Sequence, residues 1–136
     1  MADCIFCKII DGSIPSKLIY EDNDFKAILD VAPATKGHVL ILPKEHAETL
    51  TDLSDEKASK VLILAKKIVM ALKKVHGFTD FNIIQNNGRI AGQTVNHFHL
   101  HIIPRYSVDE VGLWCPHEDD ESVTEENADK VREILK

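Results

Sequence analysis

The chain is poor in the residues that build covalent frameworks. It has three cysteines in 136 residues, Cys4, Cys7 and Cys115. An odd, small number without a secretory leader excludes a disulfide scaffold. Long apolar runs are missing too. None exceeds the one from Val61 to Ala65, far short of the roughly 20 residues that a membrane-spanning helix needs. The start, Met1-Ala2-Asp3-Cys4, lacks the basic stretch and apolar core of a signal peptide. A cytoplasmic protein without a membrane partner is therefore expected. Positive charge is also scarce, with 16 Lys and Arg against 22 Asp and Glu, a net charge of −6. That excludes a nucleic-acid duplex as partner, which would need a basic face. It leaves room for a small anion held by neutral donors and histidines. Much of the acid lies in Glu118-Asp119-Asp120-Glu121 and Glu125-Glu126 and reads as a solvated loop and helix start. No repeat, low-complexity tract or linker is present, so residues 1–136 read as one domain.

What is there suits an ordinary globular fold. Apolar residues make up 44% and charged residues 28%, enough to bury a core at this length. Ile5 to Ile10 is apolar except for Lys8, ends at Asp11-Gly12 and reads as a short helical turn. Leu18 to Glu21 and Phe25 to Leu29 flank Asp22-Asn23-Asp24 and predict a hairpin. Val31 to Gly37 is a loop, and His38 to Leu42 is a strand ended by Pro43. From Asp55 to His76, apolar residues recur at Val61, Ala65, Ile68, Leu72 and Val75, with Ala58, Leu62 and Val69 beside them. This predicts a long helix with Ser54 as N-cap, Asp55-Glu56 at the positive end and Gly77 as stop. Phe81 to Gln85 and His97 to Ile103 are further strands, the second stopped by Pro104. Glu125 to Lys136 suits a terminal helix. The order predicts an α+β domain with a helix on one face of a sheet.

The chemistry concentrates at His97-Phe98-His99-Leu100-His101. In a strand, successive side chains alternate, so the three histidines share one face and Phe98, Leu100 and Ile102 share the other. In a helix the imidazoles would be spread around the axis. Imidazole near neutral pH serves as nucleophile, base, acid or metal ligand. Three of the seven histidines fall within five residues, which chance explains poorly. A three-histidine metal site is the rival, since His-x-His on a strand is also a ligand spacing. The preceding loop, Asn86-Asn87-Gly88 and Ala91-Gly92-Gln93-Thr94, is rich in small residues and neutral donors that let backbone approach an anion.

These residues resemble the histidine triad (HIT) family, whose signature His-x-His-x-His and two apolar residues reads here His97-Phe98-His99-Leu100-His101-Ile102-Ile103. Asp30, the run Gly37-His38-Val39-Leu40-Ile41-Leu42-Pro43-Lys44, Asn86, Gly92-Gln93-Thr94 and Arg105 also match. The likeness covers a core of about residues 4–106, and residues 107–136 diverge. The start Cys4-Ile5-Phe6-Cys7-Lys8-Ile9 is similar to the bacterial-type, hydrolase-like branch. The resemblance implies an antiparallel sheet with one long helix and short terminal helices, in a homodimer joined through the long helix and a strand. It implies a hydrolase or transferase acting at the α-phosphorus of a purine nucleotide such as AMP or an adenosine derivative. Phosphoramidates, adenylates and dinucleoside polyphosphates are the candidate substrates. By the same match, His99 is the nucleophile that forms a nucleotidyl-histidine, and His101 donates to phosphoryl oxygens. His38 supports the triad, and Thr94, where relatives carry Ser, assists the leaving group. Asn86, Gly92 and Gln93 would face the phosphate, Asp30 the ribose, and Phe6 and Ile28 the purine. A nucleotide-binding regulatory module with incidental hydrolysis is the alternative. A hydrolase centred on zinc held by all three histidines is a third.

Cys4-x-x-Cys7 has the spacing of a metal knuckle or a redox pair, but no strand precedes it as a thioredoxin-like pair requires. The resemblance implies zinc bound by Cys4, Cys7, His46 and His97, a closed structural shell. No organic cofactor is expected. Cys115-Pro116-His117 offers alternative ligands. His76 suits the negative end of the long helix, Lys44 reads as a solvated strand-end charge, and Trp114 as ordinary packing or a cover for the site or a dimer seam.

Overall fold

The computed structural model describes residues 3–108, 110–112, 114, 116 and 121–136. Cys115 and His117 lie outside the described residues, as does most of the acidic run. Among the described residues the elements are α1 (Ile5–Ile10), β1 (Leu18–Glu21), β2 (Phe25–Leu29), β3 (Val39–Pro43), α2 (Asp55–His76), β4 (Asp80–Gln85), β5 (Leu100–Arg105) and α3 (Glu125–Leu135). A 3-10 turn, Leu50–Asp52, precedes α2.

Local chemistry explains the boundaries. Asp22 Oδ1 accepts from the N–H groups of Asp24 and Phe25, both at 2.7 Å, and closes the β1–β2 hairpin. Ser54 caps α2 by accepting from the Lys57 N–H, and Gly77, at φ +74°, ends it. The five strands pair antiparallel in the order β1-β2-β3-β5-β4. Alternation along them divides the interior in two. Phe25, Ala27, Val39, Ile41, Phe98, Leu100 and Ile102 meet the buried stripe of α2. Ile28, Leu40 and Leu42 meet Phe6 and Ile9 of α1. The sheet is thus covered by the long helix on one face and the short one on the other.

Three expectations are corrected in detail. The stripe of α2 is Val61, Leu64, Ala65, Ile68, Val69 and Leu72. Leu62 and Val75 are 58% and 74% exposed. Leu62 is turned about 100° from Val61, and Val75 lies in the last turn, along a groove lined by Ile19, Tyr20 and Leu29. β5 begins at Leu100, three residues later than expected. Its pairing with β3 runs only from Val39↔Ile102 to Ile41↔Leu100. Beyond that, Pro43 has no N–H to offer, and the Phe98 N–H goes to the Ala47 carbonyl instead (2.7 Å). Pro104, expected to stop the strand, lies within it opposite Phe81, because it sits past the end of the β3 ladder, where no donor is needed. The alternation survives the loss of the ladder. Phe98 remains in the α2-side core with Leu100 and Ile102.

Candidate active site and an adjoining thiol–imidazole cluster

The face of the sheet opposite α2 carries the histidines. His38 enters just before β3 with the parity of Leu40 and Leu42, and therefore shares their face. Its ring meets that of His101, and His101 meets His99, with centroids 5.2 and 5.0 Å apart. Phe6, on α1, packs edge-on against His99 at 4.9 Å and against His97 at 6.0 Å. The row His97, His99, His101 is therefore one continuous surface beneath α1, and His97 and His99 are almost wholly enclosed.

Backbone groups decide where each proton sits. A carbonyl only accepts, so His99 Nδ1, 2.8 Å from the His97 carbonyl, carries the hydrogen and leaves Nε2 with a free lone pair. An amide N–H only donates, so His38 Nδ1, 2.9 Å from the Ala34 N–H, is the acceptor and His38 Nε2 keeps its hydrogen. That hydrogen points at His101 Nδ1, 2.9 Å away. His101 then holds its own hydrogen on Nε2. The result is a nucleophilic nitrogen on one ring and a neutral N–H donor on the next. Burial favours the neutral forms. It lowers His99 against the opposing pull of the His97 carbonyl and of Asp30. It lowers His38 against Asp30. It takes His101 down to about 4, helped by His99 and His38.

The other expected residues surround this pair. Asp30 Oδ2 is 3.6 Å from His38 Nε2, and Oδ1 accepts from the Ala32 N–H at 2.9 Å. Ile28 is buried beside Phe6 and Leu40. Gly92, at φ +95°, faces Asn86, whose Nδ2 would lie 3.5 Å from a Cβ there. Thr94 is exposed, next to Val95, which packs on the Phe6 cluster. Gln93 differs from the expectation in where its amide points. Its Nε2 donates to the Glu48 and Val95 carbonyls (2.6 and 2.9 Å), and its Oε1 accepts from the Gly88 N–H (2.7 Å). Both amide hydrogens hold the loop, so a phosphate contact through them would require one to be exchanged. The sequence reading missed the Ala34 amide and the His97 and Pro43 carbonyls. No side-chain pattern marks a backbone group.

His97 turns its ring to a different task. Its Nε2–H donates to the Pro43 carbonyl at 2.8 Å, which leaves the Nδ1 lone pair free. That nitrogen lies 3.5 Å from Cys4 Sγ, 3.6 Å from Cys7 Sγ and 3.1 Å from His46 Nδ1, and Cys7 Sγ is 3.3 Å from His46 Nδ1. The edges of a tetrahedron around Zn²⁺ with ordinary Zn–N and Zn–S bonds are about 3.3 Å for N···N and about 3.5 Å for N···S. The donor set and spacing fit zinc. Burial and the neighbouring Cys4 push the Cys7 thiol up to about 11, a shift that a bound cation would reverse. Asp30, His38 and His101 also bring potential ligand atoms together. They do not fit a metal, because His38 Nε2 holds its hydrogen while Nδ1 accepts from Ala34. No such group among the described residues contains all three histidines of the row, so the zinc-centred hydrolase loses its ligand set.

His76 is half-buried at the end of α2. A Cβ on Gly37 (φ +89°) would lie 2.9 Å from its ring. Lys44 pairs with Glu21 at 2.8 Å, and Trp114 is 82% exposed.

A buried row of histidines with alternating protonation, on an antiparallel α+β sheet beside a thiol–imidazole cluster, defines a class of histidine-row proteins. The HIT domain family model matches residues 11–108. A HIT-like protein of Methanocaldococcus jannaschii is 52% identical over 106 residues, 78% of this chain and 81% of that one. The adenosine 5′-monophosphoramidase hnt1 of Schizosaccharomyces pombe is 48% identical over 110 residues, 81% and 79% of the two chains. The crystal structure of a HIT family protein from Bacillus anthracis superposes with a TM-score of 0.87 at 43% identity, covering 98% of this chain and 94% of that one. The chain belongs to the HIT family.

Proposed function

We propose that this protein hydrolyses purine nucleoside 5′-phosphoramidates and related adenylates, or transfers their nucleotidyl group, by attack of His99 at the α-phosphorus. The observation that carries the reading is the pair of protonation states. His99 offers an Nε2 lone pair next to a His101 that has only an Nε2–H left to give. The S. pombe relative named for adenosine 5′-monophosphoramidase activity supports it.

In the first step the His99 Nε2 lone pair forms a bond to the α-phosphorus. The bond from phosphorus to the leaving nitrogen breaks, and that nitrogen departs with the electron pair and a proton from the Thr94 hydroxyl, which regains one from solvent, to which Thr94 is exposed. In the second step water adds its oxygen to phosphorus, its proton goes to solvent, and the P–Nε2 electron pair returns to His99. Splitting one displacement into two lowers each barrier. His101 Nε2–H donates to a phosphoryl oxygen as its charge grows, a contact preorganised by the His38 bond to its other nitrogen. His38 holds His101 in that tautomer and is itself held by Ala34. Asp30 takes the ribose hydroxyls through Oδ2, Phe6 and Ile28 back the purine, and Asn86 and Gly92 face the phosphate.

Cys4, Cys7, His46 and His97 would hold a structural Zn²⁺. When bound, the ion supplies cross-links between the N-terminal segment and the catalytic row, and no reaction chemistry. We further propose a homodimer through the free edge of β4 and the side of α2 next to it, where Leu62, Met70, Phe81 and Ile83 are exposed.

The decisive measurement is turnover of an adenosine phosphoramidate by wild type and His99→Ala, with AMP affinity in parallel. The expected result is a loss of about a thousandfold or more in kcat with AMP affinity retained. Turnover near the wild-type rate in His99→Ala overturns the mechanism.

A further inference from the structure

The loop before the histidine row borders an open hollow of about 460 Å³ lined by Arg89, Gly92, Gln93, Thr94 and Asn96. The loop is pinned. Gly88 and Gly92 both take φ +95°. Three backbone bonds close it: Ala91 N–H and Gln93 N–H to the Gly88 carbonyl, and Gly92 N–H to the Arg89 carbonyl. The buried Gln93 amide ties it to Glu48 and Val95. Yet the side chains of Arg89, Thr94 and Asn96 make no hydrogen bond or ion pair with any described residue. The contrast with the other arginines is direct. Arg105 has Glu110 and Asn82, and Arg132 has Glu125 and Asp129. A cation, a hydroxyl and an amide thus line one preformed hollow on a chain of net charge −6. The hollow on the other side of Thr94 is different, since Asp3, Glu48 and His46 line it with Cys4.

We propose that this hollow is the leaving-group subsite, and that Arg89 selects leaving amines that carry a carboxylate or other anion. The inference rests on the phosphoramidase reading, in which Thr94 serves the departing nitrogen. An amine leaving past Thr94 has two directions open to it. The hollow with Asp3 and Glu48 repels an anion, and the hollow with Arg89 attracts one. A guanidinium without a competing carboxylate gives a planar, charge-assisted fit to a carboxylate. Because the loop backbone is already folded, only the exposed Arg89 side chain has to be ordered for it to act. Arg89 is a specificity residue and takes no part in bond making.

The test compares kcat/KM for two adenosine 5′-phosphoramidates of one amino acid, the first with a free carboxylate and the second with that carboxylate capped as an amide. Wild type should prefer the free carboxylate by about fivefold, the scale of one accessible charge-assisted contact. The preference should shrink as ionic strength rises. Arg89→Glu should invert the ratio, and Arg89→Lys should keep most of it. A wild-type ratio near one overturns the proposal, as does a ratio unchanged in Arg89→Glu, even if both substrates slow together. Failure of wild type to cleave either substrate overturns the phosphoramidase reading itself, which separates the two failures.

Discussion

At the scale of single residues, the three histidines of the row are identical in chemistry and different in use. The difference comes from what each second nitrogen touches. His97 gives its hydrogen to Pro43 and turns a lone pair to the cysteines; His99 gives its hydrogen to the His97 carbonyl and turns a lone pair away. His101 receives from His38 and is left as a donor. Replacing Ala34 by Pro removes the N–H that holds His38 Nδ1. The expected result is a mixed His38 tautomer in nitrogen-15 spectra and a fall in kcat of about tenfold, with AMP affinity kept. The low His101 value has a consequence for stability. Its folded pKa of about 4 lies below the ordinary histidine value of 6.5, so the unfolded chain binds more protons between those limits. Stability should therefore fall as pH is lowered from about 6.5 toward 4. His101→Asn should flatten that part of a plot of unfolding midpoint against pH. An unchanged slope would refute the assignment.

At the scale of elements, α2 was legible because its 3.6-residue period, its Ser54 cap and its Gly77 stop all agree. Its edges were less legible. Leu62 and Val75 are as apolar as their buried neighbours, and only the position of the sheet leaves them out. The start of β5 was misread for a related reason. Composition marks an extended segment, but pairing needs a partner, and the β3 ladder ends at Ile41. The loop leading into His38 is held by close contact. At Gly37, φ is +89° and the His76 ring fills the space of a side chain. Gly37→Ala should destabilise the fold by about 1–3 kcal/mol in denaturant unfolding, and Gly12→Ala, with open space at its Cβ, by less. The N-terminal element has its own test. Purified protein expressed with zinc should hold about one Zn²⁺ per chain by elemental analysis, and the Cys4→Ser, Cys7→Ser variant close to none. Native protein well below one per chain would remove the zinc proposal.

At the scale of the whole molecule, β4 is the outer strand of the sheet and leaves one row of backbone donors and acceptors unpaired with any described strand. Next to that edge, Lys73 Nζ lies 5.3 Å over the Phe81 ring, which ties this side of α2 to the strand. Leu62, Met70 and Ile83 extend the same exposed apolar strip. Strips of this kind mark contact surfaces on soluble proteins. Sedimentation equilibrium should give twice the chain mass for wild type and the chain mass for Ile83→Glu. A monomeric wild type would rule out the dimer.

The sequence by itself determined that the three histidines share a face, since alternation needs only an extended backbone. It determined the long helix and the hairpin, since caps, periods and turn residues are local. Only the tertiary structure decided which nitrogen of each ring keeps its hydrogen and which is left with a lone pair. Those choices are set by the Ala34 amide and the His97 and Pro43 carbonyls, groups that every residue of their kind carries. The cluster of Cys4, Cys7, His46 and His97 likewise exists only in the folded chain, where α1 brings sulfur atoms to a ring about 90 residues away.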